Sequence, residues 1–508
     1  MRGPHNIWRL IRTGATLERT GAMDVVLTAF RAPPRLRFAA RLLGWPFKWL
    51  GLRGDPDLPP ATRALTALGP AYIKFGQILS TRPDIVGEEL AGQLKYLQDK
   101  LPPFPTRVAK AMVEADLDVP ADRVYSEFSE PVAAASIAQV HRARLAETGE
   151  EVAVKVLRPN IERAFRKDID AFYLAARGIE LLAPGARRLR PMDVITHFEG
   201  VVKGELDLRL ESSAASEFAA NTAGDAGFQV PKPIWHLSGR SVMTLGWAEG
   251  IGLNENAAID AAGHDRTVLG ARVLQLFLNH ALRDGYFHAD MHQGNLKIAA
   301  NGDIIAYDFG IMGRIDAYTR RVYAEILFGF IRKDYRRVAE VHFEAGYVPR
   351  DRDIDEFARA LRAVGEPIFG MDASRISMAR LLTYLFEVTE RFGMETRTEL
   401  ILLQRTMVVV EGVARGLDPH INIWEVAKPI VEGYIRKSIG PRALLNDLMK
   451  TARVLARFGP KLPQLMEAQL IRANNPEPSR PARRSSRVLL GLIGVILVAV
   501  GVMLGRLI

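Results

Sequence analysis

One segment constrains this 508-residue chain more than any other: His288-Ala-Asp290-Met-His292-Gln-Gly-Asn295, followed by Tyr307-Asp308-Phe309-Gly310. An Asp and an Asn five residues apart on one tight loop can divide two tasks. The carboxylate faces a group that must give up a proton, and the amide oxygen faces a divalent metal. A second Asp on the following strand-turn then supplies the main metal ligand. Between the two loops the alternation predicts a hairpin, with strands at 296–298 and 304–307 around Asn301-Gly302. An Asp-Phe-Gly alone is a common accident, and the bland reading of the whole segment is a polar surface loop. The ordered set argues for phosphoryl transfer from ATP with Mg²⁺, with Asp290 facing the acceptor and Asn295 and Asp308 on the metal.

Upstream, residues 125–128, 137–145 and 152–157 read as short strands, the last an apolar run around Lys155. A lysine on such a strand can hold phosphates, but an unpaired buried cation is costly, so a glutamate on the next helical unit is expected. No glycine-rich loop precedes it. Ala133, Ala134, Ala135 and Ser136 stand where a phosphate-covering loop belongs, and alanine is less permissive there than glycine. Helical periodicity covers 65–98, with Pro83 interrupting, and LPPFP at 101–105 ends it. Helices are expected at 160–183 and 191–220, strands at 230–234 and 241–245, and a glycine-bounded connection at 246–252. From Thr267 to about 470 the pattern is mainly helical apart from the β-rich 296–309. The expected architecture is α+β: a helical extension, a small strand-rich lobe, a hinge and a larger helical lobe.

The Asp290, Asn295 and Asp308 set, with the Val-Ala-Val-Lys strand, resembles the protein-kinase pattern. The alanine-rich loop departs from ordinary protein kinases. So does the absence of Ala-Pro-Glu after Gly310, and so does His292 in place of a lysine. These departures resemble the UbiB family of atypical kinase-like membrane proteins, associated with ATP binding, slow ATPase activity and ubiquinone biosynthesis. Lys74-Phe-Gly76-Gln77 is similar to that family's KxGQ signature, Glu205-Leu-Asp207 to its ExD motif, and Glu211 to the glutamate that pairs with the strand lysine. The resemblance implies that the KxGQ helix covers the cleft, with Lys74 and Gln77 meeting Glu205 and Asp207. It also implies that a hinge at 245–250, including Gly246 and Ala248, offers backbone groups to adenine. The implied partners are membrane lipid, a polyprenylated phenol or quinone precursor, and other ubiquinone-biosynthesis proteins. Two alternatives remain: a small-molecule kinase of the aminoglycoside or choline type, and a non-catalytic nucleotide-binding scaffold.

The net charge of +10 admits nucleic acid or an anionic membrane as partner. Its distribution favours the membrane, and no nucleic-acid partner is expected. Residues 25–54 carry Arg31, Arg35, Arg37, Arg41, Lys48 and Arg53, with Trp45, Phe47 and Trp49 among them. An ordinary solvated helix is the equal alternative there. Arg480, Arg483, Arg484 and Arg487 precede an uncharged apolar run at 488–505, near the ~20 residues that span hydrocarbon. The expectation is a basic linker at 471–487 and one transmembrane helix at 488–508 in the inner membrane, with the catalytic domain on the cytoplasmic side. Domains are expected at 1–60 (basic segment), 61–120 (KxGQ extension), 121–250 (N-lobe) and 251–470 (C-lobe). The chain has no cysteine, which excludes disulfides and cysteine-based metal sites.

Overall fold

The computed structural model describes residues 5–29, 45–80, 86–97, 101–182, 190–370, 384, 387–388, 391–394 and 398–439. The expected linker at 471–487 and membrane helix at 488–508 lie outside these residues, as do Arg31, Arg35, Arg37 and Arg41. Among the described residues no helix is long and apolar enough to cross a membrane. The chain divides into two compact units, 1–435 and 436–508, and nearly all described residues belong to the first.

The N-terminal extension is helical: α1 (His5–Thr20), α2 (Ala22–Ala29), α3 (Pro60–Leu68), α4 (Pro70–Ser80) and α5 (Glu88–Leu94). The sequence pattern suggests one helix across the α3–α4 junction, but Gly69 at φ 107 followed by Pro70 ends one and starts the next. Gly76 in α4 has a packing reason: a Cβ there would run into Leu65 and Leu97. Tyr72 and Phe75 of α4 meet Phe172, and Phe75 meets Phe198, so aromatic contacts seat α4 against the helices that follow.

The smaller lobe holds a four-stranded antiparallel sheet in the order β1 (Tyr125–Ala134), β2 (Ala138–Leu145), β3 (Glu151–Leu157) and β5 (Val242–Gly246). Period-two alternation buries Val152, Val154 and Val156 of β3 with Ala109 and Val113 of α6 (Thr106–Leu117). Ala153 and Lys155 therefore lie on the opposite face. Helix α7 (Ile161–Leu182) follows, then α8 (Pro191–Glu205) and α9 (Leu208–Asn221). The single helix expected at 191–220 is two helices. Asp207 interrupts it and caps α9 by accepting from the Arg209 N–H. The strand expected at 230–234 is instead β4 (Phe228–Gln229), because Pro231 and Pro233 cannot continue a ladder.

The larger lobe begins with β6 (Ile251–Gly252) and α10 (Arg266–Asn279). A strand β7 (Tyr286–His288) carries the chain into the Asp290 loop. The expected hairpin is present as β8 (Leu296–Ile298) and β9 (Ile304–Ala306), within a sheet ordered β4-β9-β8-β6. Strand β10 (Met312–Arg314) returns antiparallel to β7, a pairing with no sequence forecast. Helices α11 (Ala317–Ile331), α12 (Tyr335–Glu344), α13 (Ile354–Gly370), α14 (Thr398–Leu417) and α15 (Ile423–Ile439) complete the described lobe. The main core runs through both lobes and includes Met243, Leu245, Val273, Phe277, Met291 and Phe309.

Candidate active site

The cleft is organised around Lys155. Its Nζ lies 2.6 Å from Glu211 Oε1 and 3.7 Å from Asp308 Oδ2. The strand puts Lys155 on the cleft face, and α9 brings Glu211 to it one turn after the Asp207 cap. Burial pushes the Lys155 ammonium pKa down, but Asp308, Glu211 and Glu205 more than reverse this and hold it charged. Burial raises the Glu211 carboxyl, with Asp308 adding to it, against the pull of Lys155 and the Phe309 N–H.

Asp308 stands on the turn after β9 and is 44 % exposed to the cleft. Its Oδ1 accepts the Gly310 N–H at 3.1 Å. Protein mass around Asp308 raises its pKa; Lys155, that N–H, His288 and Lys74 outweigh this and hold it below its ordinary value. Asp290 is pinned through its backbone: its N–H donates to His288 Nδ1 at 3.1 Å and its C=O accepts from Asn295 Nδ2 at 3.0 Å. With its nitrogen so engaged, Asn295 has its amide oxygen left as an acceptor. His292 Nδ1 accepts the Gly294 N–H, and its Nε2 is 3.7 Å from Asp290 Oδ2. Behind the loop, the Phe309 ring lies 5.9 Å from His288 and 6.1 Å from Phe218 of α9.

Two oxygen ligands, a carboxylate and an amide carbonyl, fit a hard cation that keeps most of its shell from phosphate oxygens and water. Among the described residues no cluster of three or more His, Cys, Asp or Glu side chains could hold a metal ion by itself.

The covering residues divide. Lys74 Nζ is 2.9 Å from Glu205 Oε1, with both side chains largely buried. Gln77 Nε2 donates to the Leu97 C=O at 3.4 Å, within the extension itself. Asp207 is held by Arg209 through Nε at 2.8 Å and Nη2 at 2.6 Å. Arg209 had no signal in the sequence beyond standing two places after an acid. In the alanine-rich stretch, Ala133 and Ala134 end β1, and the turn proper is Ala135-Ser136-Ile137. Ser136 is buried, and its Oγ has no hydrogen-bond partner among the described residues. At the hinge, the Gly246 N–H donates to the Lys232 C=O and the Trp247 N–H to the Glu151 C=O. Lys297 Nζ donates to the Ala248 C=O at 2.9 Å. A Cβ on Gly246 would meet nothing within 4 Å, so the chain borders open space there.

Residues 96–342 match the ABC1 atypical kinase-like domain, and residues 361–422 match the UbiB helical domain. A probable protein kinase UbiB from Azotobacter vinelandii is 38% identical, covering 98% of this chain and 93% of its own. Its counterpart from Marinobacter nauticus is 37% identical over 92% of this chain and 86% of its own. A Mycobacterium tuberculosis protein solved in complex with erythromycin superposes with a TM-score of 0.52 at 26% identity, over 71% of this chain and 91% of that one.

Proposed function

Since the chain belongs to the UbiB family of atypical kinase-like proteins, we propose that its cleft binds MgATP and turns it over slowly in support of ubiquinone biosynthesis. The observation that carries this reading is Lys155 set between Glu211 at 2.6 Å and Asp308 at 3.7 Å. That spacing presents one cation to phosphates and one carboxylate to their metal. In this reading Lys155 holds the phosphates and Glu211 keeps its ammonium in place. Asp308 and the Asn295 amide oxygen hold Mg²⁺, which when bound neutralises charge on the transferred phosphoryl group. The Asp290 carboxylate orients the nucleophile and accepts its proton, aided by a backbone tied to His288 and Asn295. Ala134, Ala135 and Ser136 cover the phosphates, and the chain from Gly246 to Ala248 borders adenine. The Lys74–Glu205 pair closes the place where a peptide acceptor would enter, which favours water or a small acceptor.

The segment at 488–508 anchors the chain in the inner membrane, and Phe47 and Trp49, 47% and 73% exposed, give the basic segment a second contact with lipid. A prenylated phenol precursor reaches the protein from that side. The test is ATP turnover by the purified full-length chain, with and without anionic vesicles and a prenylphenol mimic. Mg²⁺-dependent turnover that vesicles increase is expected, together with co-sedimentation lost when the chain ends at Ser486. Nucleotide binding without turnover under any condition would favour the scaffold reading, and no nucleotide binding would overturn both.

A further inference from the structure

The alanine-rich turn joins β1 to β2 through Ala135, Ser136 and Ile137. Ala134 pairs with Gln139, the Ala135 N–H donates to the Ala138 C=O at 2.8 Å, and Ser136 and Ile137 make the corner. Such corners normally take a left-handed residue so that the turn follows the strand twist. Neither Ser136 nor Ile137 has a positive φ, and neither is glycine. Negative φ at both positions is ordinary for L-residues but does not follow the strand twist, so contacts from outside help to set where the turn lies.

Arg158, directly after β3, does this. Its N–H donates to the Ile137 C=O at 2.8 Å. Its guanidinium donates to the Ala135 C=O through Nε at 3.0 Å and Nη2 at 2.8 Å. The same guanidinium reaches the linker below the covering helices, with Nη1 on the Pro102 C=O at 3.0 Å and Nη2 on the Leu101 C=O at 3.3 Å. Its charge lies 5.9 Å from the Phe104 ring, and burial pushes its pKa down. Gln139 makes a parallel tie, accepting from the Phe104 N–H at 2.9 Å and donating to the Phe104 C=O at 3.1 Å. One planar side chain thus holds the corner of the turn and the linker of the cover at once, entirely through carbonyl groups. Five donors in a fixed fork can do this; a lysine ammonium cannot span both.

We propose that Arg158 is a positioning residue that makes the placement of the alanine-rich turn depend on the placement of the cover, through the linker at Leu101 and Pro102. The proposal rests on the reading that this turn lies over nucleotide phosphates. A shift of the cover would then be felt at the phosphates without any contact between α4 and the nucleotide.

The experiment is amide exchange on the full-length chain, with Arg158→Gln, Arg158→Lys and Lys74→Ala, alongside calorimetric titration with MgATP and MgADP. Arg158→Gln should speed exchange at 133–138 and at the Phe104 amide together by about tenfold or more, the effect of losing charged hydrogen bonds; Pro102, Pro103 and Pro105 carry no amide to exchange. The ratio of ATP to ADP affinity should shift several-fold. Arg158→Lys should keep slow exchange at only one of the two places. Lys74→Ala should speed exchange at 133–138 in the wild-type background and not in Arg158→Gln. Unchanged exchange at 133–138 in Arg158→Gln would overturn the proposal. So would a Lys74→Ala effect that persists without Arg158, or a uniform rise across the whole chain. Coupled exchange with no nucleotide binding by the wild type would refute the nucleotide reading while leaving the mechanical link standing.

Discussion

Asp225 sits in the loop after α9 and accepts from His280 Nε2 at 3.0 Å and from Arg283 Nη1 and Nη2 at 2.5 and 3.0 Å. Phe218 and Phe228 each lie 5.0 Å from the His280 ring, and Phe218 continues to Phe309, so this ion cluster backs the ring that follows Asp308. Burial pushes the Asp225 carboxyl up, but the His280 and Arg283 hydrogen bonds pull it well below the usual carboxylate range. A depressed carboxylate contributes stability that is present above its unfolded pKa, about 3.9, and disappears as pH falls through the folded value. Asp225→Asn should therefore cost roughly 1–3 kcal/mol at pH 7, the scale of a lost charged hydrogen bond. That gap from wild type should narrow below about pH 4, where the unfolded wild-type carboxyl begins to take up a proton that the folded one does not. Urea unfolding at the two pH values measures it, and a gap that does not change with pH would refute the assignment. Such residues had no sequence signature. Asp290, Asn295 and Asp308 were legible because one loop and one hairpin space them locally; Asp225, Arg209 and Arg158 act through partners that only tertiary packing brings near.

At the level of elements, strands β1, β2, β3 and β5 and the β8–β9 hairpin were readable from apolar patterning and from Asn301-Gly302, which need no tertiary information. The break between α8 and α9 was not, because apolar periodicity continues across it and the interruption depends on one capping side chain, Asp207. The position of α4 was legible only through resemblance, since nothing in phosphoryl transfer asks for a helix over the cleft. Ring contacts of Tyr72 and Phe75 hold α4 against Phe172 and Phe198, and Lys74 Nζ lies 2.9 Å from Glu205. Removing one member of a largely buried ion pair is destabilising. Lys74→Ala should therefore loosen α4 and let phosphate reach the protein's own side chains. Radiolabel from ATP should enter Lys74→Ala above the wild-type level, and the Lys74→Ala/Asp290→Asn double variant should return to background. Equal labelling of all three would remove the covering role from Lys74.

Across the whole molecule, two lobes and a helical extension follow from where the apolar periodicity switches between two and 3.6 residues. What the sequence could not convey is how the three parts are tied. Lys155 of the small lobe, Glu211 of α9 and Asp308 of the large lobe meet in one charge cluster, so the cleft is built only when both lobes are in place. The central claim is that this cluster is a MgATP site, and a thermal-shift titration with MgATP on wild type, Asp308→Asn and Asp290→Asn tests it most directly. Asp308→Asn removes the charge facing the metal and should abolish the Mg²⁺-dependent shift. Asp290→Asn should keep that shift, because in the proposed reading Asp290 serves the nucleophile and not the nucleotide. Equal MgATP-induced shifts for wild type and Asp308→Asn would contradict the account.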